Sequence, residues 1–207
     1  MPAIDLDALG RSPVSHDPFD HLVVPEFVPA DAFEAVSRDF PAVGQPGSVP
    51  LRGLDSGPAF RELLAGLEAP ETARIFGEKF GIDLTGRPGM VTVRERCRAR
   101  DGRIHTDSRD KLVTVLIYLN RDWRDSGGRL RLLRGPDDIE DYAAEVAPGP
   151  GTLLAFRCAP DAWHGHLPFE GERRTLQFNW VSGAGYIRRE RLRHSVSSIA
   201  KRLGVAS

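Results

Sequence analysis

The second half of the chain is dominated by short apolar segments that glycine and proline turns separate. Alternating or β-branched runs begin near Met90, Leu112, Leu130, Thr152 and Thr175, and each has the length and composition of a β-strand. The connections between them are too short to hold the helix that a parallel crossover needs. The sequence therefore predicts an antiparallel sandwich or barrel of five or more strands.

The first half of the chain has a different residue composition and apolar spacing. Residues 1–29 contain five prolines, which predicts an extended lead-in arm. Apolar residues at helical spacing in 32–40 and 59–80, with an interruption near Pro70, predict three short helices. Four glycines and four prolines in 41–58 predict a loop. It is either a surface loop or a lid that closes on substrate.

Length and charge restrict the class of protein. The chain has 207 residues, 41% of them hydrophobic, which favours one domain. We divide it into an N-terminal part (1–80), a β core (81–184) and a C-terminal helix with a basic face (185–207). A net charge of −1 provides no general attraction to nucleic acid or membrane. Two separate cysteines and the lack of a long apolar run predict a soluble cytoplasmic protein.

One short motif could bind a metal ion. In His105-Thr106-Asp107 the imidazole and the carboxylate share a strand face, with their roots about 7 Å apart. A third ligand is available in His164, because the chain returns to the same end of the fold after the strand that begins at Thr152. Two histidines and one carboxylate leave three octahedral positions open, which suits non-haem Fe(II) with a cosubstrate and O₂. The catalytic and metal-binding candidates are thus His105, Asp107 and His164, with His166 as the alternative to His164.

An ordered series of motifs resembles the 2-oxoglutarate/Fe(II)-dependent dioxygenases, in particular their prolyl-4-hydroxylase-like branch. The series comprises His105-Thr106-Asp107, 113–123, 127–130, Trp163-His164 and 173–180. The resemblance implies a mainly β fold with flanking helices, whose core is a double-stranded β-helix (jelly-roll, cupin-like). It also implies Fe(II), 2-oxoglutarate and O₂ as cofactor and cosubstrates, with ascorbate as an additional reductant. The implied reaction hydroxylates an aliphatic C–H group and yields succinate and CO₂.

The resemblance also implies contacts to the cosubstrate. The family places an arginine nine or ten residues after the distal histidine, where it pairs with the distal carboxylate of 2-oxoglutarate. Arg173 and Arg174 both qualify, and we choose Arg174 because it shares strand parity with the apolar residues of 176–180, the predicted inward face. Tyr118 matches a family tyrosine whose hydroxyl reaches the cosubstrate, and Thr114 lies on the same strand face.

Two features depart from the family pattern or extend it. The strand before the His-Thr-Asp motif lacks the tyrosine that many relatives carry, so some cosubstrate contacts have no assigned residue. In its place the sequence has alternating arginines, namely Arg94, Arg96, Arg98 and Arg100. Alternation predicts that they share one face, which is either solvated or a docking surface for an acidic substrate. If His164 is the ligand, His166 is predicted to face the pocket or the solvent, or to be a polar residue at the rim of the pocket.

The substrate and the alternatives remain open at this level. Peptidyl proline is the first candidate, followed by free amino acids or another small metabolite, so the expected partner is a peptide or a small molecule. The second arginine of AlkB-type nucleic-acid demethylases is replaced by Trp180, so no nucleic-acid partner is expected. The oligomeric state is open, a homodimer included. The alternative functions are a non-enzymatic metal-binding sensor or interaction module, and a zinc hydrolase with the same triad.

Overall fold

The computed structural model describes residues 2–190 and contains two antiparallel sheets with helices on one side. The helices are α1 (Leu6–Arg11), α2 (Ala30–Arg38), α3 (Pro58–Glu68) and α4 (Pro70–Phe80). The strands are β1 (His21–Val24), β2 (Val49–Pro50), β3 (Gly89–Cys97), β4 (Lys111–Tyr118), β5 (Leu130–Leu133), β6 (Tyr142–Val146), β7 (Leu153–Arg157), β8 (His164–Gly165) and β9 (Gly171–Val181).

The larger sheet has the order β1-β7-β4-β9-β3-β2, and the smaller sheet has the order β6-β5-β8. An isolated antiparallel bridge between His105 and His164 extends the smaller sheet by one short segment. The chain therefore crosses between the sheets several times, and a cavity is left between them. This antiparallel arrangement is the predicted one.

Two apolar clusters flank the larger sheet. One cluster joins its outer face to the helices, through residues such as Phe60, Phe76 and Phe178. The other lies between the sheets and includes Tyr118 and Phe156. Helices α3 and α4 are separate because Pro70 occupies the first turn of α4, where proline is tolerated, and could not continue α3.

Several elements differ from the sequence prediction. The first 29 residues are not an extended arm throughout, because they contain α1 and the edge strand β1, which pairs with β7. The loop 41–58 includes β2, which pairs with β3. Strands β6 and β8 were not predicted, since they are short and carry no clear alternation. The backbone is helical over 184–190, and the rest of the predicted C-terminal helix lies outside the described residues.

None of the helices among residues 2–190 is both long enough and apolar enough to span a membrane.

Candidate metal centre

Three predicted ligands come together between the two sheets. His105, Asp107 and His164 each offer one ligand atom, and these atoms lie within 4.8 Å of one another. The two histidines are neighbours because their backbones exchange N–H···O hydrogen bonds of 3.0 Å in both directions. Their ring centroids are 4.3 Å apart. Two imidazoles and a carboxylate at this spacing can bind one divalent metal ion.

Backbone carbonyls orient both imidazoles. The Nδ1 atom of His105 lies 2.8 Å from the carbonyl oxygen of Arg103, and Nδ1 of His164 lies 2.9 Å from that of Ala162. A carbonyl only accepts, so Nδ1 carries the proton in each ring and donates it. The lone pair of each ring is therefore on Nε2, which leaves that atom free to bind a metal.

The carboxylate of Asp107 is held by a lysine and a threonine. Lys111 donates to Oδ1 over 2.7 Å, and Thr114 donates its hydroxyl hydrogen to Oδ2. Asn179 in turn donates to the Thr114 oxygen over 2.6 Å. Burial acts to raise the pKa of Asp107, but the positive charge of Lys111, the charge that His164 carries once it is protonated at low pH, and the two hydrogen bonds outweigh it, so the pKa lies below its ordinary value. Asp107 is thus ionised, as a metal ligand must be.

Burial also sets the protonation of His164. It lowers the pKa of this imidazole to about 4, with a further contribution from His105 and an opposing one from Asp107. His164 is therefore neutral near pH 7, which is the form that binds a metal.

Two glycines allow the chain segments of the centre to approach closely. Gly102 has a φ of 84°, and a Cβ atom there would clash with the ring of His166. A Cβ atom on Gly165 would lie 2.9 Å from the Gly102 carbonyl oxygen. Both positions therefore exclude larger residues, because the segment 102–104, which leads into the His-Thr-Asp motif, lies directly against β8 and His166.

The three candidate ligands lie beside a cavity of about 460 Å³. Its walls include Arg173, Thr175, Gln177 and Asn179, which alternate along β9 and so share one face. Arg173 is only 4% exposed. It donates to the Gly128 carbonyl oxygen over 2.8 Å and to the Thr175 hydroxyl over 3.2 Å. The cavity therefore has a buried positive charge in its wall.

Tyr118 lies next to that charge. The guanidinium carbon of Arg173 is 5.2 Å from the centroid of the Tyr118 ring. Among the described residues the hydrogen of the buried Tyr118 hydroxyl has no acceptor, because the Arg173 guanidinium beside the oxygen can only donate. Its pKa is raised by burial, against the opposing positive charge of Arg173. A buried hydroxyl without an acceptor is costly, and an anionic group between it and Arg173 would satisfy both.

The prediction that Arg174 lies on the inward face of β9 was wrong, because Arg173 lines the cavity instead. Arg174 lies on the opposite face of β9, where it forms an ion pair of 3.1 Å with Glu172 and lies over the ring of Phe40. The strand parity was inferred correctly, but the face was misassigned. Leu176, Phe178 and Trp180 belong to the cluster that packs against the helices and do not face the cavity.

Other predicted residues also have different surroundings from those expected. Thr114 was predicted to contact the cosubstrate, but its hydroxyl is used by Asp107 and Asn179. Of the positions open to His166, the structure shows the one that faces the pocket and not one at the rim, because His166 is only 6% exposed and lines the cavity. Burial, followed by the charge of Arg173, lowers the pKa of His166 to about 4.

The alternating arginines do not form one face. The pairing register of β3 shifts between Arg94 and Arg96, and the strand ends at Cys97. Arg94 lines the cavity, whereas Arg96 and Arg100 are exposed. A β-bulge of this kind re-aims side chains in a way that simple alternation does not predict.

The sequence patterns did not reveal Lys111, Asn179 or the inward orientation of Arg94. A signal for Asn179 was present, because four polar residues alternate with three large apolar ones in 173–180. In a strand that is buried on both faces, the polar face must line a cavity or a polar network. Lys111 carried no comparable signal, since its contact depends on how residues 108–110 turn.

Comparisons with known proteins agree with this geometry. Residues 96–182 match the model of the 2OG-Fe(II) oxygenase superfamily. No curated protein matches the chain in sequence. Among solved structures, a prolyl-4-hydroxylase from Pseudomonas putida is similar, with a TM-score of 0.57 and 20% identity over 85% of this chain and 96% of that chain.

Two further solved structures are similar at lower identity. A viral collagen prolyl hydroxylase from Paramecium Bursaria Chlorella virus-1, in complex with 2-oxoglutarate, has a TM-score of 0.54 and 14% identity over 78% of this chain and 96% of that chain. A Trichoplax adhaerens prolyl hydroxylase, in complex with a hypoxia inducible factor peptide, has a TM-score of 0.52 and 19% identity over 78% and 83%. At these identities the likeness is one of fold, and it confirms the double-stranded β-helix core.

The family match includes the His-Thr-Asp motif, the distal histidine and β9, and the described side chains at these positions suit the metal and the dicarboxylate cosubstrate of that family. Residues 96–182 of this chain are thus similar to the core of the 2OG-Fe(II) oxygenase superfamily, whose members use Fe(II), 2-oxoglutarate and O₂, and the chain shares their fold.

Proposed function

We propose that this oxygenase hydroxylates an aliphatic C–H group and converts 2-oxoglutarate and O₂ to succinate and CO₂. In this proposal His105, Asp107 and His164 hold the ferrous ion, which supplies the oxidation chemistry when it is bound with its cosubstrates. The observation that carries the proposal is the meeting of these three ligand atoms within 4.8 Å, beside a cavity with a buried arginine.

Arg173 takes the place of Arg174 as the proposed anchor of the distal carboxylate. Its guanidinium is buried, and its described hydrogen bonds go to neutral oxygens of Gly128 and Thr175. The unsatisfied hydroxyl of Tyr118 provides a second donor near the same point. A carboxylate bound there gains a charge-assisted hydrogen bond in a site that excludes water.

Thr114 and Asn179 are proposed to position the carboxylate ligand. The relay Asn179–Thr114–Asp107 fixes Oδ2, and Lys111 fixes Oδ1. The backbone carbonyls of Arg103 and Ala162 fix the two imidazole tautomers. All three ligands are therefore oriented before the metal binds, which lowers the cost of ordering them.

The class of the substrate is supported less directly. Several similar solved structures are named prolyl hydroxylases, and one of them holds a peptide. This supports peptidyl proline as a substrate, beside a small metabolite whose C–H group reaches the same position.

An anaerobic titration with Fe(II) and 2-oxoglutarate tests the proposal without a primary substrate. A keto acid that chelates ferrous iron gives a visible charge-transfer band, so we expect this band in the wild-type protein and not in Asp107→Ala. Arg173→Gln should raise the concentration of 2-oxoglutarate needed for half of the band by at least about 30-fold, because it removes one partner of a buried charge pair.

Arg174→Gln is the matched control, since it removes the neighbouring guanidinium from the opposite face of β9. It should leave the titration unchanged. Absence of the band in folded, metal-loaded wild-type protein would refute the proposal and favour a sensor or a zinc enzyme. Equal effects of the two arginine variants would refute the anchoring role of Arg173.

A further inference from the structure

The cavity contains a second guanidinium that the proposed cosubstrate contacts do not use. Arg94 lies on β3 directly opposite Thr175 of β9, and both residues line the cavity. The Arg94 side chain is 21% exposed, whereas Arg173 is buried. Arg94 is therefore the more accessible of the two guanidinium groups.

Within the described residues, the hydrogen bonds of Arg94 go to neutral groups, and its ion pair with a carboxylate is long. Its hydrogen bonds go to the Ser48 hydroxyl, at 3.1 and 3.3 Å, and to the Cys97 sulfur, at 3.2 Å. The carboxylate of Asp101 is 3.7 Å away, beyond hydrogen-bonding distance, and it accepts a hydrogen bond from the backbone N–H of Arg98. A half-buried guanidinium with neutral partners can bind an anion by exchanging weak hydrogen bonds for charge-assisted ones.

The charges around the cavity favour a further anion. Among residues 2–190, its walls carry three cationic side chains, Arg94, Lys111 and Arg173, and two carboxylates, Asp107 and Glu190. A ferrous ion and a 2-oxoglutarate dianion cancel each other, so these wall residues keep one positive charge, and the carboxylate of Asp101, which pairs with Arg94, is not among the residues that line the cavity. A volume of about 460 Å³ is within the range of cavities that hold a drug-sized ligand, and the five-carbon cosubstrate is considerably smaller.

We propose that the primary substrate is a small carboxylic acid and that Arg94 binds its carboxylate while Arg173 holds 2-oxoglutarate. This inference rests on the proposed function. It makes Arg94 a specificity-determining residue, because an uncharged compound would leave the guanidinium with only its neutral hydrogen-bond partners and the long ion pair to Asp101. Bidentate pairing to Arg94 would also fix the orientation of the substrate relative to the metal ligands.

Fluorine NMR with trifluoroacetate tests this inference. The protein is loaded with Mn(II), which relaxes nearby nuclei, and saturated with 2-oxoglutarate. Trifluoroacetate should then show a saturable increase in ¹⁹F relaxation that the uncharged trifluoroethanol does not show. Arg94→Gln should weaken the binding of trifluoroacetate at least about tenfold, as expected when a charged hydrogen-bond partner is lost. Arg94→Lys, which keeps the positive charge, should retain part of the affinity for trifluoroacetate.

Arg96→Gln is the control, because this neighbouring arginine of β3 is exposed. It should leave the relaxation effect unchanged. The inference is overturned if trifluoroacetate behaves like trifluoroethanol, if Arg94→Gln and Arg96→Gln are equivalent, or if 2-oxoglutarate displaces the trifluoroacetate. A protein that forms the charge-transfer band but fails this test refutes the Arg94 assignment alone, whereas loss of the band itself refutes the proposed function.

Discussion

The two faces of β9 are both buried, yet they have opposite chemistry. One face carries Leu176, Phe178 and Trp180, which pack against the helices. The other carries Arg173, Thr175, Gln177 and Asn179, which line the cavity. A single strand thus separates the part of the molecule that stabilises the fold from the part that we propose binds the cosubstrate and orients the metal ligands.

This difference shows how the fold can tolerate a buried positive charge. Arg173 would be costly in an apolar cluster, but on the cavity face it has hydrogen-bond acceptors and access to an anion. The favourable free energy of burying apolar side chains comes from the other face. Stability and binding should therefore respond differently to substitutions on the two faces.

The largest expected effect on stability is that of Phe178→Ala. Phe178 is 1% exposed and contacts the ring of Trp180, with centroids 4.7 Å apart. Its truncation leaves a cavity and should lower the free energy of unfolding by about 3 to 5 kcal/mol, as measured by denaturant titration. The control is Gln177→Ala on the other face, for which we expect a loss below about 1 kcal/mol. Similar losses for both variants would contradict the division of roles.

Thr114→Val should mainly affect the metal. The change keeps the shape of the side chain but removes the hydroxyl that donates to Asp107. We expect the affinity for Fe(II) or Mn(II) to fall about 10- to 100-fold, the usual effect of removing a hydrogen bond to a ligand, with a smaller change in stability. Calorimetry under anaerobic conditions measures both the metal affinity and the stability. Thr92→Val, also in the cavity wall, is the control, and an equal loss there would argue against a specific role for Thr114.

The sequence predicted the fold and the meeting of the three candidate ligands because both depend largely on local patterns. Strand segments are recognisable from alternation and turn residues, and the spacing of His105, Asp107 and His164 follows from strand geometry. These features hold wherever the strands are placed in the sheet.

The residues that were misassigned depend on tertiary packing. Strand parity showed that Arg173 and Arg174 lie on opposite faces, but which face meets the cavity depends on where the helices pack. The orientation of Arg94 depends on a register shift in β3 that no local pattern encodes. The alternation of polar and apolar residues in β9 could have decided between the two arginines, had both faces been treated as buried.

His166 should make the stability of the metal-free protein depend on pH. Burial, assisted by Arg173, lowers its pKa in the folded state to about 4, below the 6.5 of an exposed histidine. Below pH 6.5 the unfolded chain therefore takes up a proton that the folded chain does not. The free energy of unfolding consequently decreases as the pH falls from 6.5 towards 4.

Comparison of wild type with His166→Asn isolates this effect. Asn keeps an amide donor for the hydrogen bond to Leu167 but does not titrate in this range. Between pH 7.5 and 5.5 the wild type should lose about 1 kcal/mol more unfolding free energy than the variant, in denaturant titrations at each pH. Parallel pH profiles would show that His166 is not a buried neutral histidine on the cavity face.

Arg174→Gln should have the smallest effect, and it tests the opposite face of β9 most directly. Arg174 is 28% exposed and pairs with Glu172, which is 59% exposed. Ion pairs with this much solvent contact contribute about 0 to 1 kcal/mol, and salt screens them. We therefore expect a loss of unfolding free energy below about 1 kcal/mol that shrinks in high salt, with metal binding unchanged. A larger, salt-independent loss would mean that Arg174 is as strongly buried as Arg173, and the contrast between the two faces would then disappear at this end of the strand.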